Sequence, residues 1–280
     1  MGPAALGVSV AQLSLLINTQ IASFLGDGAV SWIYFADRLM EFPSALLGVA
    51  LGTVLLPSLV RRHAEHDPKA YSRLLDWGLR LALLLALPAA LGLAMLALPL
   101  IATLFWHGEF TRNDVFMTRS ALVAYAVGLW GIVAVKILAP GFYARQDIRT
   151  PVKVAVVTLI VTQLLNLAFV PYLRHAGLAL SISVGACLNA GWLWVLMRRA
   201  GHYTPEPGWG VFLLRVTVAL YLMGGAVWYS MGSESSWFAI AAAPRALKLA
   251  LVIAAGAATY FATLWAMGMR LRDFARQPGG

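Results

Sequence analysis

The chain is short of charge. Its 280 residues include only 21 Lys and Arg and 12 Asp and Glu, or 12%, where soluble domains carry about 25%. It is also short of cysteine: Cys187 stands alone in an apolar run, so no intrachain disulfide is possible and its expected role is small-residue packing. Enzyme signatures are missing too. There is no HExxH, no Cys-His cluster, no glycine-rich phosphate loop before a lysine and no nucleophile elbow, and the five histidines are scattered. Nothing here supports catalysis, a metal or a cofactor. Residues 4–25 are apolar without a basic stretch before them, which suits a spanning helix better than a cleaved signal. Internal repeats, low-complexity tracts and a soluble domain are likewise absent from the sequence.

Apolar length is what the chain has in abundance. It is 60% hydrophobic, with a mean hydropathy of +0.77. Against a hydrocarbon core about 30 Å thick, the pattern predicts an all-α polytopic membrane protein with eight transmembrane helices. They lie near 4–25, 29–60, 78–106, 118–143, 152–172, 177–197, 211–231 and 246–268. The second and third are too long for a perpendicular crossing, and Pro43, Pro57, Pro88, Pro99 and Pro140 supply kinks. The longest polar stretch, Arg61 to Asp76, reads as a cytoplasmic loop that can lie as an interfacial helix. Trp32, Trp106, Trp209, Trp228 and Trp237 near span ends read as interfacial belts.

The formal charge of +9 would suggest nucleic acid in a soluble protein, but here the basic residues fall in short loops. One set holds fourteen Lys and Arg, from Arg61 through Arg145 and Arg198 to Arg276. The other holds Arg112, Arg119, Arg174, Arg245 and Lys248. The excess places the first set, and with it both termini, in the cytoplasm.

Asp37, Arg38 and Glu41 break the second apolar run, and charge at membrane depth costs roughly 2.5–3.5 kcal/mol per residue. At about 100° per residue, Ser31, Tyr34, Arg38, Glu41, Ala45, Gly48 and Gly52 fall in one sector roughly 100° wide, with Asp37 on its flank. Phe35, Leu39, Met40, Leu46, Leu47, Leu51 and Val54 occupy the other side. Two readings stay open at this point. The charges form a self-satisfied cluster that fixes helix packing, or Arg38 offers a planar fork to a phosphate or diphosphate. Lys136 in the fourth span either snorkels to the surface or faces the same cavity. Asn18, Gln163 and Asn166 read as hydrogen-bonding glue between helices.

Three strings carry a family resemblance. They are Ala36-Asp37-Arg38-Leu39-Met40-Glu41-Phe42-Pro43, Gly48-Val49-Ala50-Leu51-Gly52-Thr53-Val54-Leu55-Leu56-Pro57, and Phe142-Tyr143-Ala144-Arg145-Gln146-Asp147-Ile148-Arg149-Thr150-Pro151-Val152-Lys153. In residues, order and spacing they closely resemble the lipid II flippase MurJ (MviN) family of the multidrug/oligosaccharidyl-lipid/polysaccharide exporter superfamily. Members resemble two six-helix lobes around a central cavity, followed by two extra helices.

The resemblance implies that residues 1–200 form the C-terminal six-helix lobe and 201–280 the two additional helices, with the division at the Pro- and Gly-rich segment 198–210. It implies that the first lobe lies outside this chain, consistent with a start at Met1-Gly2-Pro3 directly before a span, and must be supplied in cis or in trans. It implies lipid II, the undecaprenyl diphosphate-linked disaccharide pentapeptide of peptidoglycan synthesis, as substrate in the bacterial inner membrane. Positions matching Arg38, Asp37, Glu41 and Ser31 would line its cavity; Tyr34 joins them from the helical projection, and Lys136 as the fourth-span residue that would face the same cavity. The last two helices would help form a groove for the lipid tail, among membrane lipids. The sodium-binding carboxylate of some members has only Asn18 in its helix here, so sodium coupling is not expected. A non-transporting fragment or scaffold, or an exporter of another polyprenyl-linked glycan, are the alternatives.

Overall fold

A computed structural model describes residues 2–269, with side chains from residue 12 onward. It is helical throughout, with no strand among the described residues. The long helices are α1 (Gly2–Ser23), α2 (Ala29–Ala64), α3 (Pro68–Met95), α5 (Arg112–Ala144), α6 (Arg149–Leu173), α7 (His175–Arg199), α8 (Trp209–Met231) and α10 (Ala242–Ala266). Two short ones, α4 (Ala97–Leu104) and α9 (Ser236–Ala239), lie between them. Among the described residues seven helices are long and apolar enough to cross a membrane, namely α2, α3, α5, α6, α7, α8 and α10. Predicted span 4–25 coincides with α1. Arg270, Arg272 and Arg276, which entered the orientation argument, lie outside the described residues.

The largest boundary difference is at α3. The helix begins at Pro68 rather than near residue 78; the stretch 61–76, expected as a loop or interfacial helix, is the end of α2, a short turn and the first turns of α3. Asp67 caps it, its carboxylate accepting from the Ala70 N–H at 2.9 Å, and Pro68 takes the first-turn position where a missing N–H costs nothing. Tyr71, Leu74 and Leu75 are buried, so the polar residues between them mark one face of a packed helix. At the other end the predicted span is split at Leu96. Pro99 cannot donate to the carbonyl four residues back, and α4 starts anew.

Helix α5 is the axis of the bundle, packing on α2, α3 and α7. It approaches α7 so closely that a Cβ on Gly128 would sit 2.5 Å from Ser183 Cα, and one on Gly131 would sit 2.8 Å from Cys187 Cα. Small residues at a membrane helix seam permit such backbone contact. Cys187 thus has the packing role expected of it. Helices α8 and α10 pair with each other and lie against α3, with α10 also touching α4.

Prolines inside membrane helices free a carbonyl that something else must satisfy. Pro88 frees that of Leu84, and the buried Tyr260 hydroxyl of α10 donates to it at 2.8 Å. The Tyr71 hydroxyl donates to Gly141 O, one of the carbonyls left without a partner where α5 ends. The glue residues are joined: Asn166 Nδ2 donates to Asn18 Oδ1 and to Gln163 Oε1, both at 3.0 Å, linking α6 to α1. The tryptophans are less uniform than a belt. Trp228 is exposed, Trp237 is fully buried, and Trp32 and Trp209 donate to carboxylates.

Candidate functional site: an ionic face beside an apolar groove

Helix α2 turns one side to the core and leaves the other open. Ala36, Met40, Ser44, Leu51, Leu55 and Leu59 are buried, whereas Ser31, Tyr34, Arg38, Glu41 and Ala45 are exposed. The projected polar sector is therefore open from Ser31 to Ala45, while its far end is not, because Gly48 and Gly52 are half-buried and the Lys136 stem lies across Gly48. It is also wider than projected, because Phe42 (74% exposed), Leu46 and Val49 share it.

On this face Arg38 Nη1 lies 2.7 Å from Glu41 Oε2, and the guanidinium stands 5.0 Å from the centre of the Tyr34 ring. Both charged side chains are more than half exposed, at 55% and 53%. A pair that fixed helix packing would be buried and would bridge two helices; this one joins residues of α2 alone. Arg38 and Glu41 line a shallow depression of about 640 Å³ with Phe42, Ala45, Leu46 and Val49. Beside it, Asp37, Tyr34 and Arg38 line a cleft of about 470 Å³ whose other walls include Asn18 of α1 and Tyr125 of α5. Asp37 is half-buried there. Arg38 stands between the two hollows.

Ser31 lies on the open face but lines neither hollow. Lys136 approaches α2 from α5, on the flank occupied by Asp37. Its stem crosses Gly48, where a Cβ would meet Lys136 Cδ at 2.4 Å, and its ammonium donates to Ser44 O at 2.8 Å. It also lines neither hollow. Sequence reasoning missed Tyr125, a lone hydroxyl in an apolar stretch of α5, and the place of Asn18 in the wall of the Asp37 cleft. Among the described residues no group of three His, Cys, Asp or Glu could hold a metal ion.

A third hollow, apolar and about 630 Å³, runs between α2, α3, α4, α8 and α10. Leu39, Phe42 and Pro43 form its α2 wall, Pro88 and Gly92 belong to α3, and Met223 and Tyr260 come from α8 and α10. Phe42 also lines the ionic depression, so a charged surface and an apolar groove meet at one side chain.

The family model for lipid II flippase MurJ matches residues 1–248. The chain belongs to the MurJ family. It is 55% identical over 280 residues to the lipid II flippase MurJ of Burkholderia cenocepacia, covering 99% of this chain and 54% of that protein. To the probable lipid II flippase MurJ of Vibrio cholerae serotype O1 it is 39% identical over 275 residues, covering 98% and 52%. The chain spans about half the length of these curated relatives. Among solved structures, a lipid II flippase MurJ in an inward closed conformation superposes with a TM-score of 0.79 at 20% identity, over 96% of this chain and 53% of that one. An outward-facing multidrug resistance MATE family transporter of the MOP superfamily gives 0.61 at 17% identity, over 94% and 63%. The expected exporter-type helical fold is thus found. The three matched strings now have places: the first two lie on α2, each ending on one of its internal prolines, Pro43 and Pro57, and the third forms the α5–α6 turn, where Asp147 Oδ1 accepts from the Thr150 N–H at 3.0 Å.

Proposed function

We propose that this chain is the C-terminal half of a lipid II flippase of the bacterial inner membrane. In this reading residues 1–200 form one wall of the translocation path and 201–280 the accessory helix pair, with both termini cytoplasmic. The observation that carries it is the meeting of ionic depression and apolar groove at Phe42. A lipid-linked diphosphate needs both surfaces at once: cationic donors for the head group and a dry channel for the polyprenyl tail. Arg38 is the side chain that would grip the diphosphate, because its planar fork matches two oxygens together. Glu41 and Tyr34 orient it, Asp37 lines the adjoining cleft, and Ser31 extends the polar face. Lys136 acts from behind α2, bonded to Ser44 O beside Pro43. Rocking of one lobe against the other would carry the head group across, which requires the opposing lobe in cis or in trans.

The test is complementation and lipid II binding in the complete protein. Arg38→Ala is expected to abolish both while leaving membrane insertion intact, and Arg38→Lys to restore binding only weakly. Undiminished lipid II binding by Arg38→Ala overturns the reading. The 280-residue chain expressed alone is expected not to rescue cells depleted of their flippase.

A further inference from the structure

Away from the ionic face, α3 carries a row of polar residues at four-residue spacing, Ser72, Asp76 and Arg80, all turned towards the segment 203–209 that leads into α8. Four-residue spacing keeps them on one side of the helix. The contacts are reciprocal. Ser72 Oγ donates to Thr204 O at 3.0 Å and accepts from the Thr204 N–H at 2.9 Å. Asp76 is 2% exposed, and its Oδ1 accepts from the Tyr203 hydroxyl at 2.7 Å, Trp209 Nε1 at 2.8 Å and the Glu206 N–H at 3.2 Å. Its Oδ2 pairs with Arg80 Nε at 2.7 Å. Arg80 in turn donates to Glu206 O at 3.1 Å and Pro207 O at 3.0 Å, and its guanidinium stacks 5.1 Å from the Trp209 ring.

Packing explains only part of this, since Tyr203 is buried in the core and Trp209 packs against it, while the residues between them are more open. Beneath the segment lies an apolar hollow of about 590 Å³, walled by Trp130 and Trp194 from below and by Tyr203, Pro205 and Trp209 from above. Where the segment borders this hollow it lacks packing on that side, and the polar bonds to α3 hold it in place. Burial, and then the bond to Asp76, pushes the Tyr203 phenol well above its ordinary pKa, so it remains a donor at every physiological pH.

What the segment holds is the first residue of α8. Trp209 opens that helix, and α8 with α10 forms one wall of the apolar groove while α3 contributes the facing one. Pro88, on the facing wall, lies two turns beyond Arg80, about 12 Å along the axis. We infer that the Asp76–Arg80 pair and Ser72 are positioning residues that set the width of the apolar groove and so govern the tail-dependent part of lipid recognition. The inference rests on the proposed function, because it assigns the groove to the tail of the transported lipid.

The experiment compares two probes on the complete reconstituted protein: lipid II with its undecaprenyl tail, and an analogue with the same head group on a three-isoprene tail. Asp76→Asn keeps the shape but sets an amide N–H₂ against Arg80. It is expected to weaken binding of the long-tailed probe at least tenfold and that of the short-tailed probe less than twofold. Ser72→Ala, milder and well tolerated by a helix, is expected to do the same about threefold. A disulfide between Ser72→Cys and Thr204→Cys, made in a Cys187→Ala background, is expected to restore long-tail binding to the Asp76→Asn protein. Equal loss for both probes, or no loss for either in folded protein, overturns the inference. Arg38→Ala separates the two ideas, since it is expected to weaken both probes alike. If it weakens neither, the functional reading fails, while the tail-length contrast at Asp76 still decides the groove.

Discussion

Replacing Gly128 by alanine puts a methyl group where the α5–α7 seam has no room. The new Cβ would lie 2.5 Å from Ser183 Cα, 2.7 Å from its Cβ and 2.8 Å from its Oγ. Carbon atoms prefer roughly 3.5–4.0 Å, so the helices must part by about 1 Å, and the obstacle is backbone that cannot rotate away. Overpacking of this kind costs about 1–3 kcal/mol, and a rigid neighbour argues for the upper end. Alanine recovers about 1 kcal/mol through its better helix propensity, leaving a net loss of about 2 kcal/mol. For a chain of this size that lowers the melting temperature by about 4–8 °C. The ten tryptophans provide a fluorescence readout in detergent. Gly191→Ala is the control, since nothing lies within 4 Å of its added Cβ, and it should melt at or slightly above the parent. A Gly128→Ala protein as stable as the Gly191→Ala protein would refute the close-approach argument.

Tyr260→Phe leaves Leu84 O buried with no replacement donor, and a thermal melt should record a loss of about 1–3 kcal/mol, with a further loss of long-tail binding because Tyr260 also lines the groove. A double-mutant cycle of Asn18→Ala and Asn166→Ala should return a coupling near 0.6 kcal/mol, typical of hydrogen bonds between membrane helices; zero coupling would show that the amides merely coexist. Lys136→Met, which keeps the stem across Gly48 but removes the ammonium, should reduce stability while leaving the affinity for lipid II within about twofold. A loss of affinity as large as that of Arg38→Ala would place Lys136 in the head-group site after all.

The open face of α2 was legible because its charges recur at helical spacing inside an apolar run long enough to cross a membrane. Its full width was not, because Phe42, Leu46 and Val49 look like any lipid-facing residues until the neighbouring helices are seen to leave them bare. The start of α3 was hidden for the opposite reason. Ser72, Asp76 and Arg80 read as loop chemistry, and only the tertiary partner at 203–209 reveals them as one bonded side of a continuous helix. Pro99 was legible as an interruption, though whether it would bend the span or break it depends on the caps that form around Leu96. Lys136 was placed in its helix but not aimed, since spacing along α5 does not say that Gly48 on another helix leaves a channel for its stem.

That channel has a consequence for how the sequence can change over time. Lys136 occupies space that exists only because residue 48 has no side chain, and its charge ends on a carbonyl of the same turn of α2. The two positions form one inheritance unit. Relatives with a larger residue at the position of Gly48 should carry a shorter or differently directed one at that of Lys136, and a change at either should be compensated at the other. Because the bond fastens the Pro43 region of α2 to the bundle's axis, such paired drift would also mark how freely that wall can tilt from one lineage to the next.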